Sequence, residues 1–283
     1  MRRRRGGLFF WVVVLALLAY ALIYSNTKVV LREYAVSSPD LPSAFIGTRV
    51  AVIADTHGRF DQEIIDLCEG ADIIVLAGDI IDDASQKDAA AAFAGKLADR
   101  APTYCVTGNH EWTTGVTDAF KDALASRGVY VMDDRVAALE RGDASITIAG
   151  RSDGNVHGDR PSNGALLAGT QAEDFVLLIS HRPYEFEEYA GLGADLVVSG
   201  HLHGGLIRLP FLSRIPGVEG HGGLIGPGHD FLPKYDGGVY SGAGRSTLVV
   251  SRGLAGVKLN NTAFHWMRLF NPREVVMITL TKG

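Results

Sequence analysis

The chain opens on unbroken hydrophobicity and then changes rhythm. Behind "MRRRRGG" runs "LFFWVVVLALLAYALIY", which carries no charge. This is near the lower end of the ~17–25 residues that cross a bilayer as a helix. No polar face recurs at a helical period, as it would in a helix packed on a core. A polar stretch with two prolines follows, and its alternating "KVVLREYAV" predicts one strand. From Thr48 the pattern becomes short apolar runs that end in polar clusters: "RVAVIAD", "ADIIVLAGD", "PTYCVTGNH", "DFVLLISH" and "ADLVVSGH". Such runs predict strands buried on both faces. Between them lie the helix-like "DQEIIDLCEG", "SQKDAAAAFAGKLADR", "VTDAFKDALASRG" and "RPYEFEEYAGLG". The alternation predicts an α/β layered domain. "AALERGDASITIAG" reads as a hairpin turning at Gly142-Asp143.

Composition narrows the picture. With 283 residues, 47% hydrophobic content and a net charge of −5, the chain can bury one large core. Mild acidity and scattered Lys and Arg exclude a nucleic-acid partner, and no obligate protein partner is indicated. Cys68 and Cys105 lie far apart outside any CxxC, so they read as buried apolar thiols. The arginines before the apolar run favour an uncleaved anchor with the rest of the chain outside the cytoplasm. The alternatives are a cleaved signal, or a twin-arginine signal without its full motif; Ala19 and Ala21 lie inside the run rather than after it. The expected localisation is a single-pass membrane protein of a bacterial cell membrane, with secretion after cleavage as the alternative.

Candidate chemistry sits where the apolar runs stop. The first ends in "ADTHG" with Asp55 and His57, which an extended strand would point to one side. The second presents Asp79, the third Asn109 and His110, the fourth His181, and the fifth His201 and His203 within "GHLHGG". Singly, each has an ordinary explanation, since a strand-end Asp often caps a helix. Together, the strand ends of an open α/β sheet gather these side chains on one rim.

The order D-x-H, GD-x-x-D, GNH-E, H, GH-x-H resembles the motif series of the calcineurin-like metallophosphoesterases, intact from Asp55 to His203. "GHLHGGLIRLP", "VVSRGLAG" and "NPREVVMITL" are further similar to the bacterial branch with an N-terminal membrane segment. That branch includes membrane-anchored phosphodiesterases and proteins similar to UDP-2,3-diacylglucosamine pyrophosphatases. The resemblance implies a four-layer α/β/β/α sandwich preceded by one transmembrane helix. The expected division is 1–25 as basic N-terminus and anchor, 26–47 as tether and edge strand, and 48–283 as catalytic domain.

By motif, one divalent ion would be held by Asp55, His57, Asp79 and His203, and a second by Asp79, Asn109, His181 and His201. Asp79 would bridge them. Imidazole, carboxylate and amide oxygen suit Mn, Fe or Zn. A hydroxide shared by the two ions would attack phosphorus in line. His110 would protonate the leaving group or stabilise the transferring phosphoryl. Asp82 and Glu111 would orient ligands or the loop, and Arg59 and Arg182 would reach a phosphate oxygen or serve structure. Gly78, Gly108 and Gly200 would let the backbone turn at the strand ends, and Gly204-Gly205 would let it pass close to the metals.

The expected substrate is a phosphoester, lipid-linked or in the cell envelope, cleaved by a phosphodiesterase or pyrophosphatase. The outward topology favours a phospholipid or envelope phosphodiester over a cytoplasmic nucleotide-linked lipid. A phosphomonoesterase or protein phosphatase is the enzymatic alternative, and a metal-free binding scaffold the non-enzymatic one. His157, His221, His229 and His265 match no motif. The Gly/Pro-rich insert from Gly204 to Gly238 is unusually apolar. It reads either as a flap packed on the sheet edge or as an apolar wall suited to an acyl chain or the bilayer.

Overall fold

The computed structural model describes residues 2–154, 160–171, 173–226, 231–254 and 268–283. The chain begins with α1 (Arg2–Thr27), followed by β1 (Val29–Ser38), β2 (Arg49–Ile53), α2 (Gln62–Asp66) and β3 (Ile73–Ala77). Next come α3 (Lys87–Ala98), β4 (Thr103–Val106), α4 (Asn109–Thr113), α5 (Thr117–Ala125) and β5 (Tyr130–Val131). The hairpin β6 (Arg135–Arg141) and β7 (Ala144–Arg151) leads to α6 (Asn163–Leu167), β8 (Val176–Ser180), α7 (Phe186–Gly191) and β9 (Leu196–Ser199). The chain closes with β10 (Gly238–Ser241), β11 (Thr247–Val250) and β12 (Arg273–Lys282).

Two sheets result, ordered β1-β12-β2-β3-β4-β5 and β10-β11-β9-β8-β7-β6. Strands β2 to β5 run parallel, as do β7, β8, β9 and β11. Strand side chains alternate between faces, and each apolar run has a hydrophobic partner on both. Val50 and Val52 of β2 face between the sheets, where they join Val75, Ile148, Ile179 and Val198. Their neighbours Ala51 and Ile53 face Ile64, Phe93, Leu97 and Phe120 of α2, α3 and α5. On the far side, Val176, Leu178 and Val197 meet Leu166, Leu167, Phe186 and Tyr189 of α6 and α7. The layers are therefore α/β/β/α. Each fully buried aliphatic side chain contributes ~1.5–3 kcal/mol to holding them together.

Helix α3 shows the local encoding. The 3-10 turn Ala84–Gln86 that leads into it is capped by Asp83, which accepts from the Ser85 N–H and forms a capping box with Gln86. Ala90, Phe93, Ala94 and Leu97 then bury one face at helical spacing. The β6–β7 hairpin turns at Gly142-Asp143, with Arg141 paired to Ala144. Strands β5 and β10 to β12 go beyond those predicted. β12 lies between β1 and β2, parallel to the first and antiparallel to the second.

Within α1, Gly7–Thr27 has a mean hydropathy of 2.4 and none of its most apolar window is buried by the rest of the chain. Its last turn is seated on the segment before β12. The Asn271 N–H donates to Ser25 Oγ at 3.1 Å. Asn26 exchanges two hydrogen bonds with the Arg268 backbone, at 2.8 and 3.1 Å.

Candidate metal centre

The carboxyl ends of the parallel strands in both sheets meet at one rim. Asp55 and His57 follow β2, Asp79 follows β3, Asn109 and His110 open α4 after β4, His181 follows β8, and His201 and His203 follow β9. Eight non-glycine residues among those described have positive φ. Five of them are Asp55 (51°), His57 (46°), Asp79 (52°), His201 (74°) and His203 (49°). A side chain in this region costs ~1–3 kcal/mol and persists only where the surroundings enforce it. The expectation that Asp55 and His57 share one side of an extended strand is corrected here. β2 stops at Ile53, and left-handed turns fold both side chains back over the strand ends.

The side chains converge in two clusters that share one carboxylate. Asp55, His57, Asp79 and His203 each bring one donor atom within 4.8 Å of the others, and so do Asp79, His181 and His201. Asp79 Oδ2 lies 3.8 Å from His57 Nε2 and 3.2 Å from His181 Nε2. His203 Nε2 lies 3.5 Å from Asp55 Oδ1. Two pairs of ring nitrogens face each other at 3.2 Å: His57 Nε2 with His203 Nε2, and His181 Nε2 with His201 Nδ1. Lone pairs that close require a proton or a cation between them. The Asn109 Oδ1 is buried and makes no hydrogen bond. An orphaned acceptor beside converging imidazoles and carboxylates fits a cation and suits no apolar use. The donors are hard or borderline and include no thiolate.

Burial and pairing set the charges. Burial opposes ionisation of Asp79, but the His181, His57 and His110 imidazoles outweigh it and hold the carboxyl far below its ordinary range. Asp55 behaves alike, with His203 overcoming burial. Burial disfavours charge on His181, yet Asp79 raises it to about 10. Burial and the neighbouring His181 push His201 down to about 3. Two buried carboxylates thus demand positive charge, which a cation supplies better than a shared proton.

Supporting groups hold the cluster. Asp82 Oδ1 receives both His57 Nδ1, at 2.5 Å, and His110 Nδ1, at 2.7 Å, turning both Nε2 atoms toward Asp79. His110 Nε2 lies 4.0 Å from Asp79 Oδ2. Burial works against the charged form of His110, but Asp82 and Asp79 raise its pKa overall. Fully buried Glu111 accepts the N–H groups of Asp79, Ile80, Ile81 and Gly108, at 2.6–3.0 Å. It therefore clamps two strand-end loops together. Gly78 turns left-handed at φ 86°. Gly108 does not turn in this way, with φ −99°, and Gly200 is not among the positive-φ residues. They are needed for space instead: a Cβ on Gly200 would lie 2.6 Å from Asp55 Oδ2, and one on Gly108 would strike Asp79. Conversely, Gly204 and Gly205 do turn, at φ 73° and 63°.

Some supporting residues had no role assigned from the sequence. Asn271 Nδ2 donates to the His203 and Gly205 carbonyls at 2.8 and 2.6 Å, pinning the loop that carries His203. Gly253 passes so close to Asp55 that a Cβ would lie 2.6 Å from its carboxylate. Tyr184 meets His201 edge-on, with centroids 5.8 Å apart. The arginines sit with acids. Arg182 forks onto buried Asp153 at 2.6 and 3.1 Å, and half-exposed Arg59 pairs with Asp61.

The insert is organised by a polar centre. Arg208 lies 3.4 Å from Asp236, and the Asp236 carboxylate also accepts from the His221 and Gly223 N–H groups. The His221 ring stacks on Tyr240 at 4.3 Å and its Nδ1 meets the Gly237 carbonyl. His157, His229 and His265 lie outside the described residues. A cleft of about 410 Å³ opens between the insert and α7, lined by Tyr184, Glu187, Phe231, Pro233, Lys234 and Tyr235.

Comparison with known proteins places the arrangement. The calcineurin-like phosphoesterase profile matches residues 48–205. The uncharacterized metallophosphoesterase YkuE of Bacillus subtilis is 27% identical over 276 residues, 92% of this chain and 88% of its own. A Danio rerio transmembrane protein with metallophosphoesterase domain is 26% identical over 213 residues, 69% of this chain. The match takes in 49% of that relative, so the chain spans about half its length. Phosphodiesterase YaeI of Escherichia coli is 24% identical over 178 residues, 59% of this chain and 64% of its own. With its profile spanning every strand end that bears a cluster residue, this chain belongs to the calcineurin-like phosphoesterase family, whose members bind divalent metal ions.

Proposed function

We propose that the chain is a membrane-anchored, two-metal phosphodiesterase that acts on a lipid-linked or cell-envelope phosphodiester. The observation that carries the reading is Asp79, whose carboxylate belongs to both clusters. One ion would be held by Asp55, His57, Asp79 and His203, and the other by Asp79, Asn109, His181 and His201. When bound, the pair supplies Lewis acidity at the phosphoryl oxygens and acidifies water.

The protein's own residues do the remaining work. Asp82 aligns His57 and His110, and such carboxylate–imidazole support is typical of metal sites. His110 holds a proton at Nε2 and delivers it to the leaving oxygen. Glu111 keeps the Asp79 and Asn109 loops in register. Tyr184 and Phe231 exclude water and receive the part of the substrate beyond the phosphoryl group. Residues 48–283 form the catalytic unit, and α1 holds it at the membrane with the arginines in the cytoplasm. The relatives named as a phosphodiesterase and as a transmembrane protein favour this reading.

The test uses the full chain in nanodiscs, stripped by a chelator and reloaded with Mn²⁺, Fe²⁺ or Zn²⁺. Elemental analysis should find two ions per chain. Bis(p-nitrophenyl) phosphate and phospholipid diesters should be cleaved in preference to p-nitrophenyl phosphate. Preference for the monoester, or activity without added metal after stripping, would sink the reading.

A further inference from the structure

The last turn of α1 is hydrogen-bonded to the frame of the site. Ser25 and Asn26 hold the backbone of Arg268 and Asn271, and Asn271 in turn holds the His203–Gly205 loop. The Leu269 N–H donates to the Leu206 carbonyl, and the Arg208 N–H to the Leu269 carbonyl. The start of the insert is therefore laced to the seat of the helix. Three large apolar side chains on these laced segments point to solvent: Phe270 (45% exposed), Phe211 (58%) and Ile215 (47%). Leu206, on the same segment, is buried, so the exposure is selective.

The helix itself says what covers this patch. Gly7–Thr27 is about 32 Å long at 1.5 Å per residue, matching the ~30 Å of a hydrocarbon core. Tyr20 and Tyr24 stack one turn apart near its end, where aromatic residues mark the membrane–water boundary. Seated groups beside that exit lie at headgroup depth. Exposed Lys28 and Arg214 flank the patch and can reach anionic headgroups while their stems stay apolar. Charge and apolar surface side by side is the pattern of an interfacial contact. The far edge of the first sheet, β5, lies four strands from β12, roughly 19 Å at ~4.8 Å per strand.

We propose that the face bearing Phe211, Ile215 and Phe270 rests on the lipid bilayer beside α1, so that the catalytic domain touches the membrane with its own surface. This rests on reading α1 as a membrane span under the proposed function. The domain is then held in one orientation, and the His203 loop lies next to the headgroups. A phosphodiester at the membrane surface reaches the clusters without leaving the bilayer.

Single cysteines test it, because the native thiols are silent. Burial pushes Cys68 up to about 12 and Cys105 well above its ordinary value. Phe211→Cys, Ile215→Cys, Ile23→Cys and Tyr130→Cys in the full chain are labelled with an environment-sensitive fluorophore. They are reconstituted in phosphatidylglycerol-containing vesicles, with and without nitroxide-labelled quencher lipid. The expected result is blue-shifted, strongly quenched emission at positions 211, 215 and 23, and unquenched emission at 130, which is 55% exposed on β5. Quenching at 23 alone overturns the contact while leaving the span intact. No quenching at 23 removes the span and the contact with it. Equal quenching at 130 and 211 also overturns the proposal, since no particular face is then turned to lipid.

Discussion

The strand-end rim and the insert adjoin each other yet are built on opposite terms. On the rim, most of the proposed ligands are buried and five hold strained backbone. Each loop there is fastened by a specific partner: Glu111 for Asp79, Asp82 for His57, and Asn271 for His203. In the insert, Phe211, Ile215 and Phe231 are exposed, and regular structure among the described residues shrinks to isolated bridges and one 3-10 turn, Pro210–Arg214. The difference separates two tasks. Under the proposed function, rim residues would bind the phosphoryl group that substrates of the family share, while the cleft residues Tyr184 and Phe231 would touch what distinguishes one substrate from another.

If that division holds, substitutions on the two regions fail differently. The largest effect is expected for Asp79→Ala, which removes the carboxylate common to both clusters. Metal content by elemental analysis and hydrolysis of every ester should be lost together, and survival of either would break the comparison. His110→Asn comes next. Its rate should fall ~10²–10⁴-fold, the usual worth of a proton-transfer group, with both ions still bound.

Asn271→Ala should have an intermediate effect. Without the two hydrogen bonds to the His203 loop, apparent metal affinity should drop about 10–100-fold, and excess metal should restore the rate. A rate that excess metal cannot restore would mean that Asn271 serves folding rather than the loop. The smallest effect belongs to the cleft. Tyr184→Ala and Phe231→Ala should leave a small soluble diester nearly untouched and slow a lipid diester several-fold, by about 1–1.5 kcal/mol of lost apolar contact. Equal losses on both substrates would erase the distinction between rim and insert.

The rim was legible because its chemistry punctuates the chain. Each apolar run stops, and within three residues comes a carboxylate, amide or imidazole; parallel strands then carry these positions to one edge. The local reason for Asp55 and His57 was misread, since a spacing of two says nothing about whether a strand continues beneath it. Asp153 left no trace because it acts on a residue far away in the chain, and Asn271 and Gly253 showed only as letters within family-like stretches, with no role attached to either. The insert was legible only as an excess of apolar residues. Its organising pair, Arg208 and Asp236, is an ordinary arginine and aspartate until the fold brings them together.

One feature of the first sheet bears on how the protein is made. β1 emerges from the ribosome directly behind the helix, yet its parallel partner β12, paired from Val29↔Arg273 to Ser38↔Lys282, is synthesised long afterwards. At ~5–20 residues per second, that leaves a nascent β1 without its mate for tens of seconds. Pairing the two strands also closes a very long loop, and contacts of that kind form late. Chains truncated before β12 should therefore leave β1 unpaired and present an unzipped sheet to quality control.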